Sequence, residues 1–150
     1  MRAIGRYEIH GVLGRGGMGA VFKARVPVIG RVVALKLLRP NELTLALWGR
    51  ERVLRLFRDE AALLGGLRHK NLVDVFDYDD SGPWPYFVMD FYGESLGSVI
   101  GETYRVEAES RRLPVPRAVH YAKQLLAGLA RLHYAGIVHR DVKPFNLLVT

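Results

Sequence analysis

The sequence predicts an α+β fold, with five antiparallel strands and one helix in residues 1–92, then helices and a polar loop in residues 93–150. Three observations predict it. Short apolar runs with period-two alternation, punctuated by Gly, Pro and Asp, fill most of the first part. Between them, from about Glu42 to Leu67, apolar residues recur every three or four positions, the spacing of a helix. After Gly93 the alternation gives way to helical spacing, and a polar cluster, His139-Arg140-Asp141-Val142-Lys143-Pro144-Phe145-Asn146, stands near the end between two apolar runs. That last stretch reads as strand, tight loop, strand.

In chain order, Tyr7 to Leu13 is the first strand, followed by Gly14-Arg15-Gly16-Gly17-Met18-Gly19 and a second strand over Ala20 to Arg25. Glycines at 14, 16 and 19 let the backbone turn sharply and bare its N–H groups toward phosphate oxygens. A dinucleotide-binding fold would need a helix directly after these glycines and an acidic residue about 20 positions on. A strand follows instead, and Lys36 stands at that distance, inside Val32-Val33-Ala34-Leu35-Lys36-Leu37-Leu38. The phosphate-loop pattern G-x-x-x-x-G-K-[ST] is absent.

Lys36 lies in an otherwise apolar strand, where an unpaired ammonium is costly to desolvate, so it needs a carboxylate. Glu60 is the acid on the helix face built from Leu56, Phe57, Ala61, Leu64 and Leu67, whereas Glu51 lies among Arg50, Arg52 and Arg55. Glu60 is therefore the expected partner. The alternative is an exposed helical acid paired with a neighbouring arginine. Residues 41–52 read as a small insertion before or within the helix. Leu72 to Tyr78 and Tyr86 to Phe91 complete the sheet, with a turn over Asp79 to Pro83. Farther on, Ser95 caps a short helix ending at Ile100, and residues 101–112 form a charged, exposed connection. Pro116 opens a longer helix ended by Gly136, in which Val119, Ala122, Leu125, Leu126, Leu129 and Leu132 line one face. His133 and this leucine stripe read as core packing.

The polar cluster carries the chemistry. Within a few residues it places a carboxylate that can accept a proton (Asp141), a cation that can meet a phosphate (Lys143) and an amide oxygen that can ligate a metal (Asn146), the parts needed to hand a phosphoryl group to a hydroxyl. The plainer alternative is that Asp141 and Asn146 only turn a loop.

Composition limits the alternatives. A chain of 150 residues can bury roughly 70% of the surface its unfolded form exposes. Cysteine is absent, which excludes disulfides and thiolate zinc sites, and the five histidines show no metal-ligand spacing. No segment approaches the ~18 apolar residues of a membrane span, and the first residues lack a signal peptide's apolar core, so the expected address is cytoplasmic. A net charge of +7 suits nucleic acid, yet it suits ATP and acidic partners equally, and nucleic acid is not expected as a partner.

Taken together, the glycine loop, Val33-Ala34-Leu35-Lys36, the helix Glu60 and His139-Arg140-Asp141 with Asn146 resemble the serine/threonine protein kinases in motif and order. Lys143, two residues after Asp141, is similar to the serine/threonine branch, and Leu13 to Val21 looks most like its bacterial members. The resemblance implies a protein-kinase-like fold with a sheet lobe and hinge in 1–92 and the start of a helical lobe in 93–150. It implies ATP between the lobes, with Gly14, Gly16, Gly17 and Gly19 over its phosphates and Lys36 on the alpha and beta phosphates, held by Glu60. Val21, Ala34 and Leu148 match the positions that sandwich adenine. Met89 matches the residue that limits the pocket's depth, and backbone groups of Asp90 and Tyr92 would meet the adenine edge. Asp141 would deprotonate a Ser or Thr hydroxyl of a protein substrate, Lys143 would stabilise the transferring group, and Asn146 would hold magnesium. Arg140 matches an arginine that in many kinases meets a phosphorylated activation loop. The family's D-F-G and A-P-E do not occur before Thr150. These 150 residues alone are therefore expected to have little phosphotransferase activity and to leave the leucine stripe exposed, with a non-catalytic nucleotide- or partner-binding module as the alternative.

Overall fold

A computed structural model describes residues 3–102 and 111–150. They fall into two compact units, Met1–Arg68 with Val73–Phe91, and His69–Leu72 with Tyr92–Thr150.

The first unit is an antiparallel sheet of six strands in the order β1 (Ala3–Ile4), β2 (Tyr7–Gly16), β3 (Gly19–Arg25), β4 (Val32–Leu38), β6 (Tyr86–Asp90), β5 (Val75–Asp79). The sequence predicts five, and β1 is the addition. It exists because Gly5, at φ 53°, closes a two-residue turn that sets Ile4 opposite Tyr7 and buries Ile4 in the core. A side chain at Gly5 would collide with the Tyr86 hydroxyl. Alternation in β4 divides the sheet's two faces. Val33, Leu35 and Leu37 enter one core with Tyr7, Ala24, Tyr86 and Val88, while Leu38 enters the other with Val75 and Phe87.

That second core is covered by a helix. The region expected as one helix from Glu42 to Leu67 is two, α1 (Glu42–Trp48) and α2 (Arg50–Gly66), broken at Gly49 with φ 74°. Val53, Phe57 and Ala61, spaced four apart, are the buried stripe of α2, and Phe57 meets the Phe87 ring at 5.0 Å. Leu56, expected on that face, is exposed. By contrast α1 buries none of its residues.

In the second unit, Ser95 caps α3 (Leu96–Ile100) by accepting from the Ser98 amide at 3.1 Å. Next comes α4 (Val115–Tyr134), with Pro116 in its first turn. The charged connection expected over 101–112 lies mostly outside the described residues. Leu132 is buried in α4, Val119 and Leu126 are exposed, and His133, expected in the core, is exposed. A short strand pair follows, β7 (Glu94–Ser95) against β8 (Leu148–Val149). The strand expected at Ile137-Val138 does not form. Gly136, at φ 76°, donates to the His133 carbonyl and Ile137 to that of Leu132, so the helix ends in a Schellman turn that takes the amide a strand would have used.

Helix α4 also rests directly on backbone. A side chain at Gly128 would stand 2.8 Å from the Asn71 carbonyl oxygen. Gly128→Val is expected to destabilise the chain by about 1–3 kcal/mol through overpacking. The check is urea unfolding, in which the midpoint falls while the slope is kept.

Candidate active site

In the first unit the strand registers gather the predicted residues. Directly opposed residues in an antiparallel sheet share a face, and Lys36 lies opposite Val21 on β3 and Phe87 on β6, with Ala34 opposite Met89. Val21, Ala34, Lys36 and Met89 therefore share the sheet face that α2 packs against. The ammonium of Lys36 lies 2.6 and 2.8 Å from the two carboxylate oxygens of Glu60. It also lies 5.4 Å from the Phe87 ring centroid and 5.9 Å from that of Phe57. Sequence reasoning named Glu60 but missed these two rings. The signal for Phe87 was its cross-strand position, which only the register supplies.

The glycines differ in why they are glycine. At Gly19 a side chain would meet the Leu37 carbonyl oxygen at 2.0 Å, so the fold itself forbids one. At Gly14 and Gly16 a Cβ would meet nothing within 4 Å. The space over those two positions is open on the protein's side, as a loop meant to approach a ligand closely requires. Gly17 lies at the hairpin tip between the paired Gly16 and Gly19.

At the end of β6 the Asp90 amide donates to the Asp74 carbonyl at 3.2 Å, and its carboxylate takes Arg31 at 2.5 Å. Tyr92 belongs to the second unit, as does Leu148, exposed on β8.

The second unit carries its own polar cluster, in the loop after α4. Arg140 is held at φ 64°, and the next amide, that of Asp141, donates to His139 Nδ1 at 3.2 Å. A single turn of 3₁₀ helix over Pro144–Asn146 brings Asn146 back, so that its Nδ2 donates to both the Asp141 carbonyl and Asp141 Oδ2, each at 2.8 Å. Lys143 Nζ reaches the same Oδ2 at 3.1 Å. These three predicted residues are brought together around one carboxylate. His139 was missed as a partner, although the ring acceptor stands two residues before the amide it takes.

Lys143 first, then Asn146, holds the Asp141 carboxyl below the usual carboxylate range. The pairing adds stability that is present above that range and fades as pH falls through the lowered pKa. Lys143→Ala is expected to move the Asp141 titration upward, read from its carboxyl carbon resonance against pH.

Asn146 has its nitrogen turned to Asp141, which directs its amide oxygen elsewhere, and an oxygen is the donor magnesium takes. Among the described residues no group of three His, Asp or Glu side chains could hold a metal. Such a lone amide oxygen is compatible with magnesium, which takes one or two protein oxygens when phosphate and water supply the rest. No helix of the described residues is long and apolar enough to cross a membrane.

Comparison with known proteins identifies the family. A family model described as the protein kinase domain matches residues 7–150. The serine/threonine-protein kinase PksC of Streptomyces coelicolor is 40% identical over 152 residues, spanning 97% of this chain and 26% of that protein. A probable serine/threonine-protein kinase, PknB of Corynebacterium glutamicum, is 40% identical over 159 residues, at 97% and 21%. An Aurora kinase of Schizosaccharomyces pombe is 31% identical over 146 residues, at 97% and 38%. The chain thus spans well under half of these relatives' own length. Because the family match itself begins at Tyr7 and runs through Thr150, nearly the whole chain, this chain belongs to the protein kinase family.

Proposed function

We propose that these residues serve the transfer of the ATP γ-phosphoryl group to serine or threonine hydroxyls of proteins. The observation that carries this reading is the two-oxygen grip of Glu60 on Lys36, which leaves an ammonium oriented on an apolar sheet face beside the open glycine hairpin. An ammonium fixed there is a phosphate ligand. Val21 and Ala34 supply apolar surface for adenine on the same face, with Met89 at its edge, and Gly14, Gly16 and Gly17 let the hairpin approach the phosphates.

Asp141 is ionised at neutral pH. Two neighbours occupy its Oδ2, so Oδ1 is the oxygen that orients the substrate hydroxyl and takes its proton. The hydroxyl oxygen then bonds to the γ-phosphorus as the bond from phosphorus to the ADP oxygen breaks, and Lys143 offsets the charge on the moving group. Magnesium, when bound at Asn146, would neutralise charge on the β and γ phosphates. The choice of serine and threonine rests on Lys143 and on the relatives, which are named as serine/threonine-protein kinases.

A second reading, nucleotide binding without transfer, draws on the small set of metal donors among the described residues. Titration with ATP and with inorganic tripolyphosphate, followed by a transfer assay on a protein acceptor, separates the two. Transfer supports the kinase reading. Specific ATP binding with no transfer by the natural protein supports the second. Equal affinity for both ligands would reduce the site to general polyanion attraction.

A further inference from the structure

The region read from sequence as an insertion makes contacts that the Lys36–Glu60 pair does not explain. The Gly17 carbonyl, at the tip of the glycine hairpin, accepts from the Asn41 amide at 3.1 Å and from the Thr44 hydroxyl at 3.2 Å. The next carbonyl, of Met18, accepts from the Arg39 amide at 3.0 Å. Asn41 is itself ordered, because its side-chain oxygen caps α1 by accepting from the Thr44 amide at 2.8 Å. The hairpin tip is thus tied to the start of a helix that buries none of its own residues.

In a trans peptide the C=O and the following N–H point in opposite directions. A Gly17 carbonyl held toward Asn41 and Thr44 therefore holds the Met18 N–H pointing away from them. An N–H at a glycine-rich tip is the donor type that meets phosphate oxygens. Without the tie, a tip whose glycines meet no packing partner at Gly16 would sample many peptide orientations.

We propose that Thr44 is a positioning residue for the nucleotide's phosphates, its hydroxyl latching the Gly17 carbonyl so that the Met18 N–H is presented to them. The inference rests on the nucleotide reading above. Because the Asn41 amide remains on the same carbonyl, removing the hydroxyl takes away one neutral hydrogen bond and not the whole tie, an effect of about three- to tenfold.

The test uses the whole chain as wild type, Thr44→Val, Thr44→Ser and Lys36→Met, with ATP and adenosine as ligands. Thr44→Val is expected to weaken ATP by that factor and leave adenosine unchanged, and Thr44→Ser to restore ATP. A residue that only stabilised α1 would move both ligands or neither, and either pattern overturns the proposal. Hydrogen exchange of the Met18 amide without nucleotide is the second measurement, expected to quicken in Thr44→Val alone among the three variants. Unchanged exchange also overturns the latch. Equal ATP binding by wild type and Lys36→Met would sink the nucleotide reading separately, with the exchange result still deciding whether the latch exists.

Discussion

Lys36→Met is expected to weaken ATP binding by about 10- to 100-fold, the value of a charge-assisted contact to phosphate, while leaving the chain folded. Two facts separate those outcomes. Lys36 and Glu60 keep 28% and 42% of their side chains exposed, so dissolving the pair costs the fold about 1 kcal/mol or less. The new side chain, moreover, lies beside the Phe57 and Phe87 rings, where a thioether packs favourably. Isothermal titration with ATP, paired with a thermal melt of each protein, reads both. A variant that melts like wild type and binds ATP equally well would show that the ammonium is not a phosphate ligand.

The second large effect belongs to Asp141. Asp141→Asn is expected to lower phosphoryl transfer by about 10²- to 10⁴-fold, the span of a lost general base, in the natural protein, with ATP affinity little changed. The substituted amide keeps nearly the same shape and can still accept from Lys143 and Asn146, so the loop's geometry survives while its charge and its proton acceptor do not. The measure is the turnover number on a protein acceptor beside the ATP dissociation constant. A loss confined to ATP binding would move Asp141 from the chemistry to nucleotide capture.

Much of this was legible in residue order because the signals are local. Lys36 in an apolar strand demands a carboxylate, and Glu60 follows from helical spacing alone, since both features are set by residues within a few turns of each other. The same holds for Ser95 capping α3 and for the Asp141, Lys143 and Asn146 cluster, which one turn of 3₁₀ helix closes.

What local pattern could not reach was whatever depends on a partner distant in sequence. Two-residue strands have no periodicity, so β1 was invisible until Gly5 turned it onto Tyr7, and β7 until Leu148 lay beside Ser95. Ile137 and Val138 had the composition of a strand, but a helix-ending turn claimed the backbone first. The break at Gly49 was hidden because apolar spacing continues across it. The sequence by itself determined which residues could do chemistry and which faces were apolar. Only the tertiary structure decided that Phe57 and Phe87 frame the lysine and that Thr44 holds the glycine tip, because both depend on register and on backbone direction, which a side-chain pattern does not encode.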